Sequence, residues 1–410
     1  MFLLLWFLVA LSVALGRNEE YIGYRVYNVQ LSNQHQVENF RELKSDLVDY
    51  WRRPSLEYGI VGLAMVPPSH FNWFEEQLLK LDIPKNVAIE DVYEYLKEKE
   101  QSAAISRTED GDRIFDYRAF YRYNEILNYL RALEETYTNS TINLQLVEYG
   151  RTDQDRPLVY LRINNDTEVQ KPIVVLEAAI NPRDWITVPS ALYAVDRLLK
   201  GQELLNGFDW IVIPVVNPDG YEYTHTNLRL WSKSRSTRSH LGSICPGVNI
   251  NRNFDMDWLR FDSSSSPCSH LYGGIHPFSE IESRLTRSLL EEYGTRIRLY
   301  VSLQNNGGYV TYPWLYERAA SGMFRQHHLL GLDMVNAMNS TYLLGVGSLV
   351  LGDRASGTSV DYMRNHNILY TYNIDVVQRD GVIIPEEDIL EIVDHVWRGI
   401  ETAANGVIVR

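Results

Sequence analysis

The chain has 410 residues, of which 45% are hydrophobic and 22% are charged, and its formal net charge at pH 7 is −14. This length leaves room for two domains with separate cores, and this composition excludes a chain that is disordered over most of its length. The negative charge argues against nucleic acid and anionic membrane surfaces as partners. The oligomeric state is left open.

The N-terminus, from Met1 to Gly16, is an apolar run that is too short to span a bilayer comfortably and ends in small residues. We predict that residues 1–16 are a secretory signal peptide, with a buried core segment as the alternative. Secretion would place Cys245 and Cys268 in an oxidising compartment, where an even pair favours a disulfide over two free thiols. Three Asn-x-Ser/Thr triplets predict glycosylation on the same route. They begin at Asn139, Asn165 and Asn339.

The next segment, residues 17–107, has the pattern of a small α+β domain. Strands are predicted at Arg25–Gln30 and Val61–Val66, and apolar residues recur at helical spacing from Phe71 to Leu81. The order strand, helix, strand, strand, helix predicts an open-faced α+β sandwich. The stretch from Ser102 to Asp112 is small and polar without apolar periodicity, which predicts a domain boundary.

Residues 108–410 alternate between predicted strands and helices, which indicates an α/β domain with a mixed central sheet flanked by helices. Several strands are apolar without alternation, as expected for strands that are covered on both faces. Functional sites in such sheets gather where strands end and loops begin. The predicted elements are strands Pro172–Ile180, Trp210–Val216, Leu299–Leu303 and Leu369–Val377, and helices Val188–Lys200 and Ile389–Trp397.

Several sequence blocks in this segment, taken together and in this order, resemble the A/B-type zinc metallocarboxypeptidases. They are Asn181-Pro-Arg-Asp184-Trp-Ile-Thr, Asn217-Pro-Asp-Gly220, Arg229-Leu-Trp-Ser-Lys and Gly247-Val-Asn-Ile-Asn-Arg-Asn253-Phe. The resemblance implies a carboxypeptidase-like domain preceded by an activation propeptide. It also implies that Arg107 is a tryptic activation point, although a linker that happens to contain an arginine is the alternative. Cys245 and Cys268 fall on the disulfide of that family.

The resemblance implies a zinc site whose three protein ligands are changed in this chain. The family holds zinc with a His, a Glu and a second His, and these positions are Asn181, Asp184 and Gln304 here. Amide side chains offer a metal only a neutral carbonyl oxygen, whereas zinc prefers imidazole and thiolate. We therefore expect no metal cofactor, and zinc only if the chain is an active enzyme after all.

The other catalytic positions implied by the resemblance also carry residues that differ from those of the family. Asp375 stands at the position of the family's general base with a shorter side chain, and the alternative is a residual polar group at a strand end. Ser232 replaces the arginine that stabilises the oxyanion in the family. Asp353 replaces the mobile tyrosine that covers a bound carboxylate, so it would repel that carboxylate or pair with Arg252.

The groups that recognise the end of a peptide are retained. Asn251 and Arg252 match the pair that grips the terminal carboxylate in the family, a role that suits a bidentate arginine. The alternative for Arg252 is burial beside a structural acidic partner. Arg183 and Arg229 match further arginines on the substrate side, and Val360 matches the floor of an apolar specificity pocket.

We therefore predict a secreted, non-catalytic pseudopeptidase that retains part of a pocket for peptide or protein C-termini. The alternative is an active zinc metallocarboxypeptidase that releases C-terminal apolar residues from peptides. A third possibility is a metal-independent hydrolase that uses Asp184 and Asp375, which requires two carboxyl groups with well-separated pKa values.

Overall fold

The structure is a computed structural model that describes residues 16–107, 115–165, 168–339, 341–376 and 383–409. The predicted signal peptide therefore lies outside the described residues, apart from Gly16. None of the helices in these ranges is long and apolar enough to cross a membrane.

The N-terminal segment folds as an antiparallel sheet packed against helices, as predicted. Within the described residues the four-stranded sheet has the order β2-β3-β1-β4. The elements are Arg25–Val29 (β1), Gln34–Glu42 (α1), Asp49–Arg52 (β2), Gly62–Val66 (β3), Phe71–Lys80 (α2), Asn86–Ile89 (β4) and Val92–Arg107 (α3). Helix α3 continues through Arg107, so the first part of the predicted boundary stretch is helical, and residues 108–112 lie outside the described residues.

The larger segment contains an eight-stranded sheet in the order β11-β10-β12-β9-β7-β8-β6-β5. Its inner strands β8, β7, β9 and β12 are parallel to one another. The pairs β10–β12 on one side and β6–β8 and β5–β6 on the other are antiparallel, so the predicted mixed sheet is confirmed. The strands are Asn143–Arg151 (β5), Pro157–Asn164 (β6), Ile173–Glu177 (β7), Asp209–Ile213 (β8), Ile297–Gln304 (β9), Gly308–Tyr312 (β10), Leu343–Val346 (β11) and Tyr370–Val376 (β12). The helices are Tyr123–Tyr137 (α4), Thr187–Gly201 (α5), Glu203–Gly207 (α6), Pro218–Thr226 (α7), Ile281–Tyr293 (α8), Phe324–Ala337 (α9), Gly347–Val350 (α10), Ser359–Asn365 (α11) and Ile389–Val409 (α12).

Both faces of this sheet are covered, which explains the unbroken apolar strands. Val174 and Leu176 of β7 point into one core, where α5 and α12 pack, whereas Ile173 and Val175 point into a second core beneath α8 and α11. Successive side chains of a strand face opposite sides of the sheet, so a strand between two helix layers is apolar at every position.

Two predicted boundaries move for identifiable reasons. Strand β7 stops at Glu177, before the predicted end at Ile180, because Ala179 takes a left-handed backbone conformation with φ of 50°. Helix α12 does not end at Trp397, because Ile400 and Ala403 continue its buried apolar stripe.

The N-terminal segment packs tightly onto the larger one. Tyr21, Trp51 and Leu63 share an apolar cluster with Leu228 and Leu230. The backbone N–H of residue 18 donates to the carbonyl of residue 227 over 2.8 Å. This interface holds the two segments together through buried contacts as well as through the peptide chain.

Cleavage of the chain after Arg107 is therefore expected to leave both fragments associated. A shared apolar cluster and buried ion pairs across the interface do not depend on the connecting peptide. Gel filtration of the nicked protein at low micromolar concentration should give one peak that contains both fragments. Separation of the fragments without denaturant would contradict this expectation.

Candidate functional site

The candidate site lies at the carboxyl ends of the parallel strands β7, β9 and β12. Gln304 is the last residue of β9 and stands opposite Asp375 of β12 in the sheet register. The chain leaves β7 at Glu177 and turns four residues later at Asn181. These ends meet because neighbouring parallel strands finish at the same edge of a sheet.

The turn that carries Asn181 and Asp184 is fixed by Thr187 at the start of α5. The Thr187 hydroxyl donates to the Asp184 carbonyl over 2.7 Å and accepts the backbone N–H of Ala179 over 3.0 Å. The backbone N–H of Asp184 donates to the Asn181 carbonyl over 3.1 Å. The turn is therefore rigid.

At the three positions that match the family's zinc ligands, the amide N–H groups and the carboxylate form hydrogen bonds with protein neighbours. The Asn181 amide donates to Asp184 Oδ1 over 3.2 Å, and Asp184 Oδ2 accepts the backbone N–H of Asn305 over 3.1 Å. The Gln304 amide donates to Ser302 Oγ over 2.9 Å. Among the described residues, no group of three or more His, Cys, Asp or Glu side chains is arranged to hold a metal ion. This donor set of two amides and one shortened carboxylate does not fit zinc.

Burial governs the acidity of the two carboxyl groups at this end of the cavity. It raises the pKa of Asp184 to about 6, although the charges of Arg183 and Arg229 oppose the shift. Burial also raises the pKa of Asp375 to about 7, against hydrogen bonds from the backbone and side-chain N–H groups of Asn306 at 2.9 and 2.8 Å. Both groups are therefore harder to ionise than ordinary carboxyl groups.

Replacement of Asp375 by asparagine should stabilise the fold at high pH only. Because the pKa of Asp375 is higher in the folded than in the unfolded chain, its ionisation costs stability progressively as pH rises from about 4 to about 7. We expect Asp375→Asn to raise the free energy of unfolding by about 2 kcal/mol at pH 8 and to leave it unchanged at pH 4. Urea unfolding at both pH values measures this, with the exposed Asp46→Asn as the control. An equal effect at both pH values would contradict the assignment.

A cavity with about 1030 Å³ of empty space, part of it open to solvent, joins these groups to the rest of the predicted site. The larger segment contributes Asn181, Arg183, Ser232, Asn251, Arg252, Gln304, Asp353 and Asp375 among other residues. The N-terminal segment contributes Asp49, Tyr50, Trp51, Arg52 and Arg53. Strand β2 therefore forms part of the wall.

Arg183 is held by an acid from the N-terminal segment. Its Nη1 lies 2.5 Å from Asp49 Oδ2 and its Nη2 lies 3.3 Å from Asp49 Oδ1, and both residues are buried. His270 Nε2 is 3.7 Å from the same carboxylate. This ion pair crosses between the two segments and occupies both Nη atoms of Arg183.

Arg252 is paired with Asp262, a residue that the sequence analysis did not single out. Arg252 Nη2 lies 2.6 Å from Asp262 Oδ2, and its Nε donates to the Asp262 carbonyl over 2.6 Å. Asp262 also pairs with Arg53 of the N-terminal segment. The structure thus agrees with the alternative of an acidic partner for Arg252. Asp353 pairs with Arg318 at 3.3 Å and not with Arg252, and its predicted repulsion of a bound carboxylate stays a prediction.

Two predicted ligand-binding residues lie behind the cavity wall. The Arg229 guanidinium stacks on Trp185 at 3.8 Å and donates to the Arg183 carbonyl over 2.7 Å. Val360 is buried in the second core, with 1% of its surface exposed. Ser232 does line the cavity and offers a neutral hydroxyl, which donates weakly to the His270 carbonyl over 3.4 Å.

The covalent predictions have different outcomes. The disulfide between Cys245 and Cys268 is present. Asn139 and Asn339 are exposed, whereas the amide of Asn165 donates to Asn206 over 2.8 Å. Glycosylation at these three positions stays a prediction.

Comparisons with known proteins agree with this fold and site. A family model described as zinc carboxypeptidase matches residues 126–399, and one described as carboxypeptidase activation peptide matches residues 27–99. The chain therefore belongs to the zinc carboxypeptidase family. It is 32% identical to carboxypeptidase B of Helicoverpa zea, with 96% of each chain covered. It is 27% identical to carboxypeptidase A1 of Bos taurus, again with 96% of each chain covered.

A solved structure supports the whole architecture. The crystal structure of carboxypeptidase A from Helicoverpa armigera superposes with a TM-score of 0.88 at 29% sequence identity. The superposition covers 95% of this chain and 98% of that one. The fold of both segments is thus that of the family.

Proposed function

We propose that this chain is a secreted, non-catalytic member of the zinc carboxypeptidase family that binds the C-terminal ends of peptides. The observation that carries the proposal is the state of the three ligand positions. Asn181 and Asp184 bind each other at 3.2 Å, and Gln304 donates to Ser302. These bonds use the amide N–H groups of Asn181 and Gln304, so a zinc ion would meet only their carbonyl oxygens, which are neutral and weak zinc donors.

The change at Ser232 supports the same proposal. A positioned charged donor at an oxyanion is often worth about 3 to 4 kcal/mol of transition-state stabilisation. Ser232 supplies a neutral hydroxyl on the cavity wall instead. Loss of this donor together with the imidazoles leaves little of the machinery that peptide hydrolysis requires.

The binding half of the proposal is supported by the groups that remain around the cavity. Asn251, Arg252 and Arg183 all line it, together with apolar side chains such as Leu315 and Val350. A concave wall of this mixed character is typical of sites that hold a small ligand or a chain end. The secreted location is supported by the Cys245–Cys268 disulfide, because disulfides persist in oxidising compartments.

The active enzyme remains the second candidate, and the position of Asp375 favours it. Asp375 lines the cavity with a pKa of about 7, a value that suits a general base near neutral pH. A metal-independent hydrolase is less well supported. The pKa values of Asp184 and Asp375, about 6 and about 7, are too close to give one acid and one base distinct roles.

A single set of measurements on the purified chain tests the proposal. The protein, intact and nicked after Arg107, is assayed for bound zinc, for release of C-terminal phenylalanine from a blocked dipeptide, and for binding of peptide ends. We expect substoichiometric zinc, no chelator-sensitive turnover, and measurable binding. Stoichiometric zinc with turnover that a chelator abolishes would establish the active enzyme instead.

A further inference from the structure

The guanidinium of Arg252 is already occupied by the chain itself. Its Nε and Nη2 both donate to Asp262, to the carbonyl and to Oδ2, each over 2.6 Å. Its Nη1 donates to the Asn251 carbonyl over 2.8 Å. Every nitrogen of the Arg252 guanidinium therefore donates a hydrogen bond within the protein. The Asp262 carboxylate occupies the position that the carboxylate of a ligand would take.

Asp262 is held in this position from several directions. Its other carboxylate oxygen pairs with Arg53, and the side chains of all three residues are largely buried. Its backbone is left-handed, with φ of 43°, a conformation that L residues other than Asn and Asp rarely adopt. Burial alone would raise the pKa of Asp262, but the charges of Arg53 and Arg252 hold it well below its usual range. The acid therefore stays ionised.

A free terminal carboxylate would meet this acid directly. It would have to share Arg252 with Asp262 or displace it, and two carboxylates beside one guanidinium repel each other. Asp353 adds a second acidic side chain to the same wall. Like charges placed together at a binding surface typically cost several kcal/mol.

The other end of the cavity presents bare hydrogen-bond acceptors. Asn181 Oδ1, Asn373 Oδ1 and Asp375 Oδ2 are buried, and within the described part of the chain none of the three has a hydrogen-bond partner. The residues that carry them line this same cavity. Buried acceptors are costly when left unpaired, so this end favours N–H donors from the rest of the bound peptide.

We propose that Asp262 sets the selectivity of the cavity, so that it takes peptide ends carrying a primary carboxamide and disfavours ends with a free carboxylate. This inference rests on the proposed function, namely that the cavity binds peptide ends. A carboxamide carries no negative charge, and it presents two N–H donors to Asp262 and Asp353, which repel a carboxylate. An ammonium group also brings donors, but Arg53, Arg183 and Arg252 in the same wall would repel its charge.

The test compares two ligands that differ only at the end group. A benzoyl-capped dipeptide ending in phenylalanine is used as the free acid and as the primary carboxamide, and calorimetry measures its binding to the full-length chain. We expect the carboxamide to bind on the order of 10- to 100-fold more tightly to the unmodified protein. In Asp262→Asn, the free acid should gain affinity by a similar factor, because no competing carboxylate charge remains on Arg252 Nη2.

Arg53→Gln is the matched control. It removes the pair between Arg53 and Asp262 but leaves Asp262 on Arg252, so it should not improve binding of the acid. An equal gain in affinity for the free acid in Arg53→Gln and in Asp262→Asn would overturn the proposal. It would show that the acid is admitted because the N-terminal segment loosens and not because the Asp262 charge is gone.

The comparison of the two ligands on the unmodified protein does not depend on whether any variant folds. Tighter binding of the acid than of the carboxamide there would refute the selectivity and leave the proposed function intact. Absence of binding by both ligands, in the unmodified chain and in Asp262→Asn, would instead refute the proposed peptide-end binding and this inference with it.

Discussion

Restoration of the family's three ligands, Asn181→His, Asp184→Glu and Gln304→His, should turn the chain into a zinc-binding protein. The two imidazoles supply the nitrogen donors that zinc prefers, and the glutamate extends the carboxylate by one carbon. Loss of a single outer-shell partner already weakens zinc binding about 10- to 100-fold, so replacement of two directly coordinating imidazoles should cost more. We therefore expect the triple variant to bind zinc at least ~1000-fold more tightly than the unmodified chain.

Competition with a chromophoric chelator measures this gain. The single variants Asn181→His and Gln304→His are the matched controls, because each leaves one amide at the site and should gain only part of the affinity. Zinc that co-purifies with the unmodified chain and survives dialysis would contradict the prediction. Turnover in the triple variant should stay low until Ser232→Arg is added, since the charged oxyanion donor is still missing.

Asp49→Ala should produce the largest loss of stability among the changes considered. Asp49 Oδ2 lies 2.5 Å from Arg183 Nη1 in a buried ion pair. The substitution removes this acid and leaves the Arg183 charge without its counter-ion. Breaking a buried pair by removing one partner typically costs about 3 to 5 kcal/mol, because the remaining charge is desolvated without compensation. The N-terminal segment should also release more readily after nicking at Arg107.

Urea unfolding of the full chain tests this expectation. Asp46→Ala, three residues earlier at an exposed position, is the control and should change the free energy of unfolding by less than about 0.5 kcal/mol. The double variant Asp49→Ala/Arg183→Met should recover part of the loss, since an apolar side chain leaves no buried charge behind. A loss below about 1 kcal/mol in Asp49→Ala would show that water compensates Arg183.

The class of fold could be predicted from the sequence, as could the residue types at the positions that match the family's zinc ligands. Apolar strands without alternation indicated a sheet covered on both faces, and β7 and β9 are such strands. The positions of Asn181, Asp184 and Gln304 followed from sequence blocks in a fixed order. Side-chain chemistry then limited what those positions can bind, since an amide oxygen is a weak zinc donor whatever surrounds it.

The ion pairs around the cavity could not be predicted in the same way. Asp49 precedes Arg183 by 134 positions in the sequence, and its pairing depends on how strand β2 packs against the larger segment. Asp262 lies in a loop without a recognised motif, and only its left-handed backbone and the approach of Arg53 place its carboxylate on Arg252. The pairing of Asp353 with Arg318 could not be predicted for the same reason, because Arg318 is its neighbour only in three dimensions.

The sequence by itself determined which atoms are available at the positions that match the family's zinc ligands, because the donor strength of a side chain is a property of the residue type. Only the tertiary structure decided what those atoms meet. Arg252 and Arg183 are suited by type to hold a ligand's carboxylate, yet folding brings Asp262 and Asp49 against them. Electrostatic energy depends on distance and burial, and neither quantity is fixed until distant segments pack together.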